Sequence, residues 1–341
     1  PEIAKMAEQL YVFQRTPHFT VPARNAPLSE ETLSHWNRHR RELRAKVLTT
    51  RSGVLHDYGP SPADAVAEEE RLREYEARWQ KGGTNFMYAY NDIMQNEATN
   101  EEAADFIRRK IREVVKDPVT ADRLTPTDYP LGAKRICVDT DFWATFNRPN
   151  VELISLRETP IDHINETGVK TVDKQYDVDV LIFATGYDAL TGSLTRIDIR
   201  GADGTSLKDA WSAGPYTYLG LMTANFPNMF IVTGPGSPSV LSNMVVSIEH
   251  DAKWIADALN YLREQGATRM ETTEDSQRAW MGHVRELAEG TLYYKGNSWY
   301  LGANVPGKPR VFMPYLGGLD VYQAKCAQVA REGYTGFVIG R

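Results

Sequence analysis

The sequence predicts an α/β fold of the dinucleotide-binding type with a helical insertion. Three observations predict it: an apolar run at residues 180–183, a helix-to-strand step at residues 1–13, and a long helical stretch between them. The apolar run predicts a strand buried on both faces, and the small residues at 184–186 allow a flat, bulky ligand to approach the backbone. Ligands of α/β proteins bind at the carboxyl ends of such strands. A core strand that simply turns at Gly186 fits the same pattern, so this segment alone leaves both interpretations open.

Composition sets limits on the class of protein. A length of 341 residues suggests about two domains, and the net charge of -6 argues against a protein that holds nucleic acid through phosphate contacts. The two cysteines, Cys137 and Cys326, form no Cys-x-x-Cys pair and fit a reducing cytoplasm; no apolar run reaches transmembrane length. Residues 1–9 resemble the back half of a helix and not a signal peptide. We therefore expect a fragment of a cytoplasmic protein.

The first half of the chain is predicted to be mainly helical. Residues 1–9 predict a helix end and residues 10–13 a strand, which together form one αβ step of a parallel-sheet unit. Between residues 20 and 133, Ser29 caps one predicted helix, residues 64–81 form a second that ends at Gly82, and a capping box precedes a third. The box is Thr99 with Glu102, and the apolar residues at helical spacing are Leu33, Trp36, Leu43 and Val47 in the first helix and Phe106, Ile107, Ile111 and Val114 in the third.

The strand pattern returns from about residue 134. Residues 151–156 predict a strand, and residues 165–168 predict the turn of a hairpin. Residues 180–188 and 228–234 predict two further strands, and residues 242–265 predict a helix.

Arg15 stands at the end of the first predicted strand. In dinucleotide domains an acidic residue at the corresponding place selects NAD, whereas an arginine accommodates the 2′-phosphate of NADP. Arg15 and Thr16 supply no acid, so the pattern favours NADPH, with a surface arginine at a loop start as the alternative.

Two further segments carry chemistry suited to anions. Residues 234–244 follow a predicted strand and open a helix, whose backbone N–H groups favour a negative partner such as the N1–C2=O edge of a flavin; a plain Gly- and Pro-rich turn is the alternative. Arg135 offers a permanent cation and Lys134 can reach a phosphate, with a solvated Lys-Arg pair as the alternative. His35 and His39 lack a third ligand, so we predict no metal site.

Together these segments resemble the Baeyer–Villiger monooxygenases, which are class B flavin enzymes, over nearly the whole chain. The resemblance is strongest to the branch that oxidises aryl ketones and steroids. Residues 20–130 resemble the helical insertion that distinguishes these enzymes from simpler flavin monooxygenases. The most specific segments are residues 12–18, 132–135, 183–188, 234–244, 298–308 and 315–318.

The resemblance implies two Rossmann-like domains, for FAD and NADPH, each incomplete in this chain. Residues 1–19 and 134–185 would form the rear part of the NADPH-binding domain, residues 20–133 the helical domain, and residues 186–341 the C-terminal part of the FAD-binding domain. The family's two glycine-rich fingerprints, its FxGxxxHxxxW segment and its active-site aspartate are not in this sequence. We expect this chain by itself to hold no FAD and to show no turnover.

The resemblance also implies roles for individual residues. Arg135 falls where the family keeps the arginine that stabilises the flavin peroxide anion and its adduct with the ketone, which is how a fixed cation acts in a dry site. The cofactor-binding positions are Arg15 and Lys134 at the NADP 2′-phosphate, Thr16 beside them, Gly186 at the crossover between domains, Trp299 at the nicotinamide nucleotide and Met244 at the flavin. The positions that line the substrate cavity are Ser239, Val240, Leu241 and Met244.

The implied reaction inserts one atom of O₂ next to a ketone carbonyl, through a C4a-peroxyflavin, and gives an ester or a lactone. It uses FAD and NADPH on aryl, cyclic or steroid-type ketones, with neither nucleic acid nor membrane as a partner. Two alternatives stay open: a class B flavin monooxygenase that oxidises nitrogen or sulfur, and an inactive fragment.

Overall fold

The computed structural model describes all 341 residues, which fold as two compact units. The first unit comprises residues 1–26 and 57–186, and the second comprises residues 27–56 and 187–341. Residues 27–56 of the predicted helical domain thus pack with the C-terminal half of the chain. The domain boundaries implied by the resemblance stay a prediction.

The chain contains eleven α-helices and nine strands. The helices are α1 (Glu2–Met6), α2 (Glu30–Leu48), α3 (Glu68–Lys81), α4 (Glu97–Val114), α5 (Pro118–Leu124), α6 (Phe142–Thr145), α7 (Gly192–Thr195), α8 (Leu207–Ala210), α9 (Met244–Glu264), α10 (Glu274–Glu289) and α11 (Leu319–Arg331). The strands are β1 (Leu10–Gln14), β2 (Thr20–Pro22), β3 (Cys137–Asp139), β4 (Val151–Ser155), β5 (Ile161–Asn165), β6 (Gly168–Thr171), β7 (Gln175–Asp177), β8 (Arg269–Thr272) and β9 (Phe337–Gly340). None of the helices has the length and apolar character needed to cross a membrane.

Parallel pairs of strands organise the first unit, as the sequence predicts. Strand β1 pairs with β4 from Leu10 opposite Val151 to Gln14 opposite Ser155, and β2 pairs in parallel with β3. The predicted hairpin is confirmed, because β5, β6 and β7 form an antiparallel sheet. Since β1 and β4 run in the same direction and in register, their carboxyl ends lie side by side.

The start of α4 differs from the prediction. Its N-cap is Asn96, whose Oδ1 accepts hydrogen bonds from two N–H groups of the first turn. The predicted capping box of Thr99 and Glu102 is wrong, because Thr99 donates to Asp92 at 2.8 Å and Glu102 forms an ion pair with Arg71 at 2.7 Å. An Asn at the position before the first helical residue competes as a cap on equal terms with the later threonine, and the sequence pattern does not rank them.

Replacing Asn96 by alanine is expected to lower the stability of α4 by about 1 kcal/mol, because two N–H groups lose their acceptor. Hydrogen exchange of the α4 amides in increasing urea measures this change. The Asn96→Asp variant keeps an acceptor and should match the parent. An alanine variant with parental exchange would show that the cap contributes nothing.

Two predicted strands are absent. Residues 180–188 form no strand, and Val180, Ile182 and Phe183 are 73%, 63% and 69% exposed. A strand buried on both faces needs neighbours on either side and layers above and below it, and no segment of this chain pairs with these residues. Residues 228–234 also form no strand, because their hydrogen bonds go to separate segments, from Asn228 N–H to the Met270 carbonyl and from Ile231 N–H to the Leu221 carbonyl.

Helices α9, α10 and α11 surround the main core of the second unit, with Trp254, Trp280 and Tyr322 among its buried side chains. The predicted helix over residues 242–265 is confirmed to within two residues as α9. Ser29 caps α2 as predicted, by accepting a hydrogen bond from the Thr32 N–H at 3.1 Å. That helix nevertheless buries no side chain.

Candidate functional site

Positive side chains meet beyond the carboxyl ends of β1 and β4. Arg157 Nε donates to the Arg15 carbonyl oxygen at 2.9 Å, and Arg157 Nη2 lies 2.5 Å from Asp128 Oδ2. Lys134 Nζ lies 4.7 Å from the centre of the Tyr129 ring. Arg15 and Lys134, two residues predicted to bind one phosphate, are close enough for their charges to interact, together with a third cation, Arg157.

Burial and the neighbouring charges act together on the pKa of Lys134. Burial lowers the pKa of Lys134 below its usual 10.5; Asp128 raises it, and the positive charges of Arg15 and Arg157 lower it further. A half-buried ammonium among like charges is unfavourable until an anion joins it. The group therefore suits a phosphate, whose charge would offset both the burial and the repulsion.

His18 fixes the backbone of Arg135. Its Nε2 lies 2.6 Å from the Arg135 carbonyl oxygen, and its Nδ1 lies 3.2 Å from Tyr129 Oη. Because a carbonyl oxygen only accepts, Nε2 carries the proton. Burial lowers the pKa of His18, although the bond to the Arg135 carbonyl opposes that effect. Arg135 thus presents an exposed side chain from an anchored backbone.

Gly186 lies in an exposed segment outside any strand, and its role as a close approach to a ligand stays a prediction. Its φ of +85° lies in the left-handed region, and no atom lies within 4 Å of the place where a Cβ would stand. Thr16 is half-buried directly after Arg15.

In the second unit, residues 234–239 form the first part of a loop, and hydrogen bonds from separate segments of the chain hold this part in place. Gly236 donates its N–H to the Met313 carbonyl at 2.7 Å, Tyr315 donates its N–H to the Ser237 carbonyl at 2.8 Å, and Trp280 Nε1 donates to the Gly236 carbonyl at 2.9 Å. The loop is therefore shaped before any ligand binds.

The predicted cavity residues lie at the end of this loop. Ser239–Leu241 form one turn of 3₁₀-helix, and Met244 begins α9 two residues further on. Ser239 has a φ of +45°, and its buried hydroxyl has no hydrogen-bond partner in the protein. Buried polar groups are nearly always paired, so this hydroxyl fits a bound ligand that supplies its partner. Val240 and Leu241 pack on a neighbouring apolar cluster.

Trp299 lies on a second loop of the same unit, in the short helix Trp299–Leu301. This loop is tied to the segment after Gly186 at two points. Lys308 Nζ lies 2.5 Å from Asp188 Oδ1, and Asn304 Nδ2 donates to the Tyr187 carbonyl at 2.8 Å. Both Lys308 and Asp188 are largely shielded from water, which strengthens their attraction.

Sequence reasoning missed Arg157 and His18. Arg157 lies two residues after the end of β4 and Arg15 one residue after the end of β1, so the reasoning that selected Arg15 would also have selected Arg157 once the two strands were paired. The contact of His18 with Arg135 joins residues 117 positions apart, and no local pattern indicates it.

Comparison with known proteins identifies similar enzymes. No family model matches the chain. A Baeyer–Villiger monooxygenase of Pseudooceanicola batsensis is 37% identical over 99% of this chain and 62% of its own length. A phenazine N-monooxygenase of Lysobacter antibioticus is 39% identical over 98% of this chain and 62% of its own length. The structure of an oxidized steroid monooxygenase bound to NADP matches with a TM-score of 0.93 and 46% identity, covering 100% of this chain and 64% of that one.

These matches define a mixed α/β flavin monooxygenase fold, which confirms the predicted fold class. Within that class, nearly the whole chain matches part of the length of Baeyer–Villiger monooxygenases. It spans less than two thirds of the length of these relatives.

Proposed function

We propose that the protein carrying this sequence is an FAD- and NADPH-dependent Baeyer–Villiger monooxygenase. It inserts one atom of O₂ next to a ketone carbonyl and releases an ester or a lactone from aryl, cyclic or steroid-type ketones. The observation that carries the proposal is the group of cations beyond β1 and β4 beside Arg135, in a chain that matches this family.

NADPH binds through its 2′-phosphate to Arg15 and Lys134. Arg157 adds a third positive charge and holds the Arg15 backbone, although Asp128 already offsets part of that charge. Thr16 lies directly beside Arg15. Each charge-assisted contact contributes about 1.5–3 kcal/mol to binding, which is enough to discriminate NADPH from NADH.

FAD fits the loop of residues 234–244. The N-terminus of α9 directs backbone N–H groups toward a negative partner, and Met244 and the unpartnered Ser239 hydroxyl lie at that end of the loop. When bound, FAD supplies the activation of O₂, for which no side chain has the chemistry. The protein supplies position, charge and exclusion of water.

Arg135 stabilises the negative charge that develops on the ketone oxygen as the carbonyl is attacked. A guanidinium stays charged at every working pH and loses no proton to the substrate. Its backbone is already anchored by His18, so little reorganisation accompanies the reaction. Ser239, Val240, Leu241 and Met244 shape the ketone cavity, and Trp299 contacts the nicotinamide nucleotide.

A second candidate function is oxidation at nitrogen, which the 39% identity to a phenazine N-monooxygenase supports. A competition assay separates the two functions: the full protein receives FAD, NADPH and equal amounts of a cyclic ketone, a phenazine and a sulfide. We expect lactone as the main product. Formation of N-oxide or sulfoxide without lactone would favour the alternative.

A further inference from the structure

Asp251 is a buried carboxyl group in the middle of α9 that the roles above leave unused. Its Oδ2 accepts a hydrogen bond from the Thr233 N–H at 2.8 Å. Its Oδ1 lies 3.2 Å from both the Tyr322 hydroxyl oxygen and His250 Nδ1, and that hydroxyl oxygen also lies 2.8 Å from the Leu219 carbonyl oxygen. Burying a carboxyl group is unfavourable unless its oxygens are hydrogen-bonded. The side chain of Asp251 is therefore held in one orientation by these neighbours.

The partner amide belongs to a strained residue. Thr233 has a φ of +52°, in the left-handed region. A β-branched side chain is a true outlier there, and such a conformation persists only when its surroundings enforce it. The bond from Asp251 to the Thr233 N–H is a direct means of enforcement.

Because of the position of Asp251 along α9, its hydrogen bond with the Thr233 N–H joins the two ends of the loop. We call this hydrogen bond the clamp. Thr233 precedes Gly234, where the loop begins, and Met244 ends the loop as the first residue of α9. Asp251 lies seven residues, or about two turns, further along that helix. Through Asp251 the helix that ends the loop therefore holds the residue that starts it.

We propose that Asp251 is the positioning residue of the loop of residues 234–244. It keeps Thr233 in the left-handed conformation and so fixes the path of the loop that faces the flavin. The flavin part of this inference rests on the proposed function; the clamp itself does not.

The clamp is tested on the chain as it stands, without cofactor. In the Asp251→Ala variant both carboxylate oxygens are removed, so the Thr233 N–H loses its acceptor. We expect the amides of Thr233, Gly234, Gly236 and Ser237 to exchange hydrogen about 10-fold faster, with α10 and α11 unchanged. The control is Asp257→Ala, which removes an exposed carboxylate of the same helix paired with Lys253. Unchanged exchange at 233–237, or uniform acceleration across the second unit, would overturn the proposal.

A second variant tests whether Asp251 acts through the strained backbone conformation of Thr233. Glycine adopts a φ of +52° freely, so in a Thr233→Gly background the Asp251→Ala change should accelerate exchange at residues 234–237 no more than about 3-fold. An undiminished effect in that background would show that Asp251 does not act through the conformation of Thr233.

The flavin part is tested by the FAD dissociation constant of the full protein. We expect Asp251→Ala to raise the dissociation constant about 10-fold and Asp257→Ala to leave it unchanged. Faster loop exchange with unaltered FAD affinity would overturn the flavin role of the loop and leave the clamp standing. A parent protein that binds no FAD would instead contradict the proposed function.

Discussion

Replacing Arg135 by alanine is expected to lower the rate of ketone oxygenation by about 100- to 1000-fold, the usual effect of removing one preorganised donor to a developing negative charge. NADPH affinity should change by only a few-fold, because Arg15, Lys134 and Arg157 remain. The measurement is product formation at saturating NADPH and ketone, by gas chromatography, next to the rate of NADPH oxidation.

Two further variants test whether the loss of rate depends on the donors of Arg135 and on the position of its charge. Arg135→Lys keeps the charge but loses the fork of donors, so we expect an intermediate rate. Arg40→Ala removes an exposed arginine of α2 and should retain the parental rate. An Arg135→Ala variant that oxygenates ketones as fast as the parent would remove Arg135 from the reaction.

Replacing Lys134 by alanine is expected to raise the KM for NADPH by about 10- to 100-fold, the equivalent of one charge-assisted contact. The KM for NADH should stay the same, because NADH lacks the 2′-phosphate. Arg15→Ala should likewise raise the KM for NADPH and leave the KM for NADH unchanged. Arg157→Ala should have a smaller effect, because its side chain is 46% exposed and already paired with Asp128. Equal losses for both nucleotides would contradict a role at the 2′-phosphate.

The affinity should also depend on pH in a way that identifies Lys134. Only the protonated ammonium attracts the phosphate, and the pKa of Lys134 is lowered from 10.5 in the free protein. The dissociation constant of NADP should therefore rise as the pH increases through a value below 10.5. In the Lys134→Arg variant the side chain stays charged, so the loss of NADP affinity should occur at a higher pH than in the parent. Coincident pH profiles for parent and variant would exclude Lys134 as the titrating group.

The parts of the fold that the sequence predicts are those set by neighbouring residues. Ser29 caps α2, the turn at residues 165–168 joins β5 to β6, and Gly82 ends α3 with a φ of +78°. Each of these depends on a few consecutive residues. The strand predicted at residues 180–188 depends instead on neighbours on both sides, which its own apolar pattern does not reveal.

The residues of the candidate site divide in the same way, into those that neighbouring residues reveal and those that only the fold brings together. Arg15 could be found from the end of its own strand, whereas Arg157 joins it only because β1 and β4 pair in parallel. The role of Asp251 requires an unusual φ at Thr233, 18 residues earlier in the chain. No propensity predicts a β-branched residue in that conformation.

Labelling with ¹⁸O₂ tests the proposed reaction most directly. The full protein receives FAD, NADPH and a cyclic ketone under ¹⁸O₂, and the products are analysed by mass spectrometry. We expect a lactone that carries one ¹⁸O atom at the ring oxygen, with the second atom released as water. An unlabelled lactone, or NADPH oxidation without any oxygenated ketone product, would contradict a Baeyer–Villiger reaction.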